Sequence, residues 1–169
     1  RERDAHKDHF YATPPEATVA LCRHYSDYLN DTTIWEPACG NGAMSWVLQR
    51  ETTSKIISTD IIRRNIFFNS GVSDFLGPGG YRNVPIVTNP PFKYASQFIR
   101  KAHEMGAPFI SLFLKSTFWN AQTRYDLYQE FTPKAHHPLT WRVDFSGQGR
   151  PTMDCQWIVW GENVPISNV

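Results

Sequence analysis

Hydrophobic positions along the chain fall into two alternating patterns, short continuous runs and stripes with helical spacing. The runs at residues 33–36, 55–59, 84–88 and 108–114 are typical of buried strands. Between these runs, apolar side chains recur every three or four positions, which is typical of helices. Strands that alternate with helices predict βαβ units and a mostly parallel sheet.

The first helix has a recognisable start signal. In Thr13-Pro14-Pro15-Glu16, Thr13 is a suitable N-cap, proline suits the first helical position, and Glu16, three residues after Thr13, completes a capping box. The helical spacing then continues to about Asn30. Further helices are predicted around Met44–Leu48 and over residues 94–105 and 120–131, and a short strand is predicted at Val72.

The last part of the chain predicts an antiparallel edge to the sheet. Residues 141–145 and 155–160 read as two strands joined across the glycines at 147 and 149. His136 and His137 precede this hairpin, and no third ligand has a suitable spacing, so we predict a loop pair rather than a metal site. The pattern as a whole predicts an α/β fold.

Composition narrows the class without naming a function. The 169 residues fit one domain, 1–169, with residues 1–9 as a polar arm and no separate target-recognition domain. The net charge of +1 means that a polyanion would have to meet a local basic patch. Three widely spaced cysteines without a CxxC pair disfavour a disulfide framework and a zinc site. No apolar run approaches the ~18 residues of a membrane span and no secretory signal is visible, so we expect a cytoplasmic protein.

Polar residues at predicted strand ends form a candidate cofactor site. Residues 36–42, Glu-Pro-Ala-Cys-Gly-Asn-Gly, follow the first strand and open a helix, where glycines allow close approach of a ligand to backbone N–H groups. Asp60 ends the next strand and suits a ribose, while Asp74 and Phe75 suit an adenine. A tight strand–helix turn and a plain helix cap remain open alternatives. A nicotinamide site is disfavoured because the third glycine of its motif is absent.

Asn89-Pro90-Pro91-Phe92, at the end of the third clear strand, is the sharpest signal. Two prolines end the strand and stiffen the backbone, which holds carbonyl acceptors in fixed directions. The Asn89 side chain adds another acceptor, so both hydrogens of a flat –NH₂ group can be held. Phe92 offers a ring for a planar base. The alternative is a strand terminator with Phe92 in the core.

Together these segments resemble the amino-group DNA methyltransferases that use S-adenosylmethionine, specifically the adenine-N6 branch. Residues 11–16 are similar to the family's N-terminal cofactor motif, residues 36–42 to its glycine loop, and residues 89–92 to its catalytic tetrapeptide. Their order resembles the gamma-type arrangement. The resemblance implies a Rossmann-like class I methyltransferase fold with a seven-stranded type of sheet and helices on both faces, and the small size suggests a phage or prophage enzyme.

The resemblance also implies roles for individual residues. Asn89, Pro90, Pro91 and Phe92 would be catalytic, with Phe92 stacking on an extruded base. Stacking returns roughly 1–3 kcal/mol against an extrusion cost of a few kcal/mol. The cofactor would be bound by the residues Tyr11, Thr13, Glu36, Pro37, Ala38, Cys39, Gly40, Asn41, Gly42, Asp60, Ile61, Asp74, Phe75 and Asn89.

The sequence narrows the type of reaction further than it narrows the molecule that receives the methyl group. Lys93, Lys115 and Arg150 are candidates for phosphate contacts, and Trp119 for the base pocket, although solvated surface charge and core packing are the alternatives. DNA is the expected partner. Adenine in RNA, or a glutamine amide in a protein, would suit the same site, and a non-catalytic binding module remains a different-class alternative.

Overall fold

The structure is a computed structural model and describes residues 12–64, 71–145 and 147–167. Tyr11 lies outside the described residues. The described helices and strands follow one another along the chain as α1 Pro15–His24, α2 Ser26–Leu29, β1 Thr33–Glu36, α3 Ala43–Glu51, β2 Lys55–Asp60, β3 Gly71–Val72, β4 Ile86–Thr88, α4 Ala95–Glu104, β5 Ile110–Lys115, α5 Tyr125–Glu130, β6 Ala135–Pro138 and β7 Cys155–Trp160.

The seven strands form one sheet in the order β3-β2-β1-β4-β5-β7-β6. The strands β3, β2, β1, β4 and β5 pair in parallel, whereas β7 is antiparallel to both β5 and β6. The chain leaves β1 toward β2 and β3 and later returns to the other side of β1 as β4. The strand order therefore reverses between β1 and β4, and in open α/β sheets such a point is where ligands bind.

Each face of the sheet is covered by helices. On one face, α1 and α3 pack with residues such as Val87 and Phe113. On the other face, α4 and α5 pack with residues such as Ile86 and Leu112. Neighbouring residues of β4 and β5 thus point to opposite cores, as strand geometry requires. The predicted α/β fold, with a Rossmann-like sheet between two helical layers, is confirmed.

The antiparallel edge differs in detail from the prediction. The strand beside β7 is β6, Ala135–Pro138, and not residues 141–145, which make a single bridge from Val143 to Met153. The predicted loop pair, His136 and His137, lies inside β6. His136 accepts a hydrogen bond from Trp119, and His137 lies 2.6 Å from the Tyr25 hydroxyl. These tertiary partners hold two polar residues in a strand that the local pattern does not indicate.

The start of α1 also differs from the prediction. Pro14 is the N-cap, no side chain caps the helix, and Pro15 begins it. The Thr13 hydroxyl is engaged elsewhere, because it accepts a hydrogen bond from Asn89 Nδ2 at 3.1 Å. The predicted single helix to Asn30 is interrupted at Tyr25, which separates α1 from α2. Of the described helices, none is long and apolar enough to cross a membrane.

Candidate active site

A cavity opens where the strand order reverses, at the carboxyl ends of β1, β2 and β4. Segments far apart in sequence meet there, because parallel strands bring their carboxyl ends to one edge. Among the residues named from sequence, the cavity is lined by Thr13, Glu36, Pro37, Ala38, Cys39, Asn41, Asp60, Ile61, Asp74, Phe75, Asn89, Pro90 and Pro91.

The two glycines of the loop after β1 shape the cavity without lining it. Gly40 and Gly42 have φ angles of +54° and +83°, in the left-handed region that favours glycine. Gly42 is the N-cap of α3, and its N–H donates to the Cys39 carbonyl at 2.8 Å. The Cys39 N–H donates to the carbonyl of Thr59 on β2 at 3.0 Å. The loop is thereby closed on itself and attached to the neighbouring strand.

Asp60 organises this loop. Its Oδ2 accepts the Gly40 N–H at 2.7 Å, and its Oδ1 accepts the Ile62 N–H at 3.2 Å. The side chain is nearly buried at 9% exposure. A carboxylate offers about four acceptor positions, so these two bonds leave capacity toward the cavity. Asp60 thus combines a structural task with its position in the cavity lining.

Glu36 is the most deeply buried carboxyl group of the site. It is 2% exposed at the end of β1, and its Oε2 accepts a hydrogen bond from Ser45 Oγ at 2.9 Å. Ser58, the register partner of Glu36 on β2, donates to Ser45 at 2.6 Å. Burial raises the pKa of Glu36 to about 8, the Ser45 hydrogen bond lowers it, and the negative charge of Asp60 raises it.

Asp74 and Phe75 lie on the far side of β2, just after β3. Asp74 Oδ1 accepts the Leu76 N–H at 3.0 Å, which stabilises the turn that follows. The ring of Phe75 is 3% exposed and lies between Trp35 and Phe98, at centroid distances of 5.1 and 4.7 Å. The ring is therefore a fixed wall of the cavity, supported from behind by the core.

Asn89 follows β4 directly, and its amide has a defined orientation. Because Nδ2 donates to the Thr13 hydroxyl, Oδ1 is the end of the amide that can accept a hydrogen bond from a ligand. Pro90 and Pro91 also line the cavity. The Pro91 carbonyl accepts the Tyr94 N–H at 2.8 Å, which begins the 3₁₀ turn Phe92–Tyr94. Acceptors of the tetrapeptide are thus held beside the glycine loop.

Phe92 lies outside the cavity lining, among other aromatic and basic side chains. The Lys115 ammonium is 5.0 Å from the centre of its ring, and the Phe145 ring meets it edge-on at 6.5 Å. Lys93 lies over Tyr94 at 4.9 Å. Three residues that the sequence predicted to contact the methyl acceptor therefore lie close together next to Pro91: Phe92, Lys93 and Lys115.

The other two acceptor-side candidates lie elsewhere. Trp119 donates to His136, packs against Phe118 and Tyr128, and lines a separate groove beside α5. Arg150 is exposed, and its backbone N–H donates to Asp144 at 3.1 Å. The structure brings neither side chain to the cavity lining.

Sequence reasoning missed several residues of the site. Ala12, Ala43, Met44, Arg64, Tyr94 and Phe98 also line the cavity. Met44 and Phe98 read as core residues because they belong to helical stripes. Ser45, which does not line the cavity but donates a hydrogen bond to Glu36, was also missed, because no local pattern marks a hydroxyl whose partner lies on another element. Within the described ranges, no group of three or more His, Cys, Asp or Glu could hold a metal ion.

Solved structures share the fold of this chain at low sequence identity. A provisionally assigned RNA methyltransferase from Pyrococcus horikoshii has a TM-score of 0.72 at 13% identity, over 90% of this chain and 86% of that one. The 1,6-didemethyltoxoflavin N1-methyltransferase of Burkholderia thailandensis, solved with S-adenosylhomocysteine, has a TM-score of 0.60 at 8% identity, over 85% and 75%. A dimethyladenosine transferase from Plasmodium falciparum has a TM-score of 0.60 at 15% identity, over 89% and 62%.

These likenesses define the fold of the chain. It is the Rossmann-like fold of S-adenosylmethionine-dependent methyltransferases, with a seven-stranded sheet that ends in antiparallel strands. No protein-family model and no curated protein sequence matches the chain.

Proposed function

We propose that this protein transfers a methyl group from S-adenosylmethionine to the exocyclic N6 amine of adenine in DNA. The observation that carries the proposal is the juxtaposition of Asn89 and Pro90 with the glycine loop around one cavity. One side of that cavity suits a nucleoside cofactor and the other suits a planar amine. The neighbours with the same fold include a dimethyladenosine transferase and a methyltransferase with S-adenosylhomocysteine bound.

The chemistry of the side chains fits the cofactor. Glu36 and Asp60 offer carboxyl oxygens to positively charged groups and hydroxyls, and the Phe75 ring forms a flat wall for an adenine. The Asp74 carboxylate would accept a hydrogen bond from the amine of that adenine. When bound, S-adenosylmethionine supplies an electrophilic methyl group on a positively charged sulfur that departs as a neutral thioether.

The acceptor amine would be held by Asn89 and Pro90. Its two hydrogens would donate to Asn89 Oδ1 and to the Pro90 carbonyl, two acceptors whose directions are set by Thr13 and by the proline backbone. Such bonds favour a tetrahedral nitrogen with an available lone pair. Fixed dipoles and orientation are effects that lower barriers without a metal or a nucleophilic side chain. The nitrogen gains the methyl carbon and then loses a proton to water.

The neighbourhood of Phe92 favours a nucleic acid as the acceptor. Phe92 and Phe145 present aromatic rings suited to a base, and Lys93 and Lys115 place positive charge beside them for phosphates. RNA is the second candidate, because a neighbour of the same fold is provisionally assigned as an RNA methyltransferase. A glutamine amide would use the same two acceptors but would not need the aromatic rings.

Incubation with labelled methyl donor and three acceptors tests the proposal: adenine-containing duplex DNA, structured RNA and a protein extract. Mass spectrometry of nucleosides and peptides then locates the label. We expect N6-methyldeoxyadenosine from duplex DNA. Label found only in adenosine of RNA, or only in glutamine, would overturn the DNA assignment while leaving the cavity chemistry in place.

A further inference from the structure

The carboxyl group of Glu36 has no cationic partner among the described residues. Its one described hydrogen bond is donated by the Ser45 hydroxyl, which in turn accepts a hydrogen bond from the Ser58 hydroxyl. The described hydrogen-bond donors to the Glu36 carboxyl and to the Ser45 hydroxyl are therefore neutral hydroxyl groups. The side chain is 2% exposed and nevertheless lines the cavity. A buried carboxylate without a counter-charge is costly, and such groups usually become neutral instead.

A second carboxyl group makes this cost larger. Asp60 lies two residues beyond Ser58 on β2, hence on the same face of the sheet, and lines the same cavity. Burial and the Asp60 charge both raise the pKa of Glu36. The other titratable or charged side chains that line the cavity belong to Cys39, Arg64, Asp74 and Tyr94.

We propose that Glu36 is a neutral acid in the cofactor-free protein and gives up its proton when the positively charged methyl donor binds. This inference rests on the proposed function, because it takes S-adenosylmethionine as the ligand. The O–H bond of Glu36 breaks, its electron pair stays on the carboxylate, and the proton passes to the buffer. With a neutral thioether in place of the sulfonium, the carboxylate has less positive charge to compensate and takes a proton back.

Glu36 would therefore favour the binding of S-adenosylmethionine, whose sulfur is positively charged, over S-adenosylhomocysteine, whose sulfur is neutral. Both ligands carry the same amino acid and nucleoside groups and differ at the sulfur. Any proton exchange by the shared amino group is common to both, so a difference between the two ligands isolates the response to the sulfonium charge.

Calorimetric titration in buffers of different ionisation enthalpy measures the protons released on binding. At about pH 7 we expect more release with S-adenosylmethionine than with S-adenosylhomocysteine in the wild-type protein. The affinity of the wild type for the donor should rise roughly fivefold from about pH 7 to about pH 8, beyond any change seen in Glu36→Gln. In Glu36→Gln, the two ligands should release equal numbers of protons. Glu104→Gln, the same change at an exposed site, should behave as the wild type.

The ¹³C NMR shift of the Glu36 carboxyl carbon reports the protonation state of this group in the ligand-free protein. The signal is assigned by its loss in Glu36→Gln. We expect a neutral carboxyl at about pH 7 that ionises when the donor is added. An ionised carboxyl in the cofactor-free protein, or equal proton release in wild type and Glu36→Gln, would overturn the inference. A neutral carboxyl in a protein that binds neither ligand would instead refute the cofactor assignment, and with it the proton exchange.

Discussion

At the scale of single residues, the hydrogen bond between Thr13 and Asn89 joins side chains that are 76 positions apart in sequence. The bond decides which end of the Asn89 amide can accept from a ligand. It also explains why Thr13 does not cap α1, although its position before Pro14 and Pro15 predicts a cap. A local signal for a helix start is here outweighed by a contact between distant segments.

Thr13→Val should lower the rate of methyl transfer roughly five- to tenfold, because one hydrogen bond worth about 1 kcal/mol no longer orients the acceptor amide. Donor affinity measured by calorimetry should change much less than the rate constant. Thr88→Val is the matched control, since the Thr88 hydroxyl is buried without a hydrogen-bond partner in the described part of the chain. Equal rate losses in both variants would contradict the orienting role of Thr13.

The raised pKa of Glu36 also leads to a prediction about the free energy of unfolding. Its pKa in the folded protein is raised to about 8, above the ordinary value of 4.5, so its contribution to stability is full below about pH 4.5 and is lost as the pH rises through about 8. Glu36→Gln removes this dependence. Urea titrations should therefore show that the variant gains stability relative to the wild type between about pH 5 and pH 8. A constant difference across that range would contradict the assignment of a neutral Glu36.

At the scale of elements, the loop between β1 and α3 depends on one side chain from β2. Asp60→Ala leaves the Gly40 N–H without its acceptor, and a buried unsatisfied donor costs roughly 1–3 kcal/mol. We expect a matching loss in the free energy of unfolding, together with much weaker cofactor binding by calorimetry. Asp126→Ala, a change at an exposed residue of α5, serves as the control. Unchanged cofactor affinity in Asp60→Ala would move the ribose site elsewhere.

The elements also show how far sequence reasoning reaches. Strands β1, β4 and β5 are almost wholly buried and β2 is buried toward its end, so apolar and β-branched residues mark all four strands in the sequence, and the site loops follow directly from the ends of β1, β2 and β4. The β6 strand reads as a loop because its two histidines are satisfied by Trp119 and Tyr25 from distant segments. The Glu36–Ser45–Ser58 network escaped prediction for the same reason, since hydrogen bonds between elements leave no periodic trace in the sequence.

At the scale of the whole molecule, three partly buried histidines contribute to the response of stability to acid. Burial lowers the pKa values of His103, His136 and His137, while the hydrogen bond that His103 Nδ1 donates to the Ile99 carbonyl and the charge of Glu130 oppose this at His103. The unfolded chain therefore binds protons more readily than the folded one. Stability from these groups is present above about pH 6.5 and is lost as the pH falls below it.

Urea titrations at about pH 7 and about pH 5.5 should show this loss in the wild type. His136→Gln keeps an acceptor for Trp119 but cannot take up a proton, so the loss should be smaller in that variant. An identical loss in wild type and variant would show that other groups control the acid response.

Methyl transfer by Asn89→Ala to adenine-containing duplex DNA, with donor affinity measured on the same preparation, is the decisive test of how the target amine is held. The variant loses an acceptor for the target amine while the glycine loop, Glu36 and Asp60 remain. We expect donor affinity within about twofold of the wild type and a rate lowered roughly 10²–10³-fold, as for other lost electrostatic contacts to a reacting group. Transfer at the wild-type rate would contradict the claim that Asn89 and Pro90 hold the amine in front of the methyl donor.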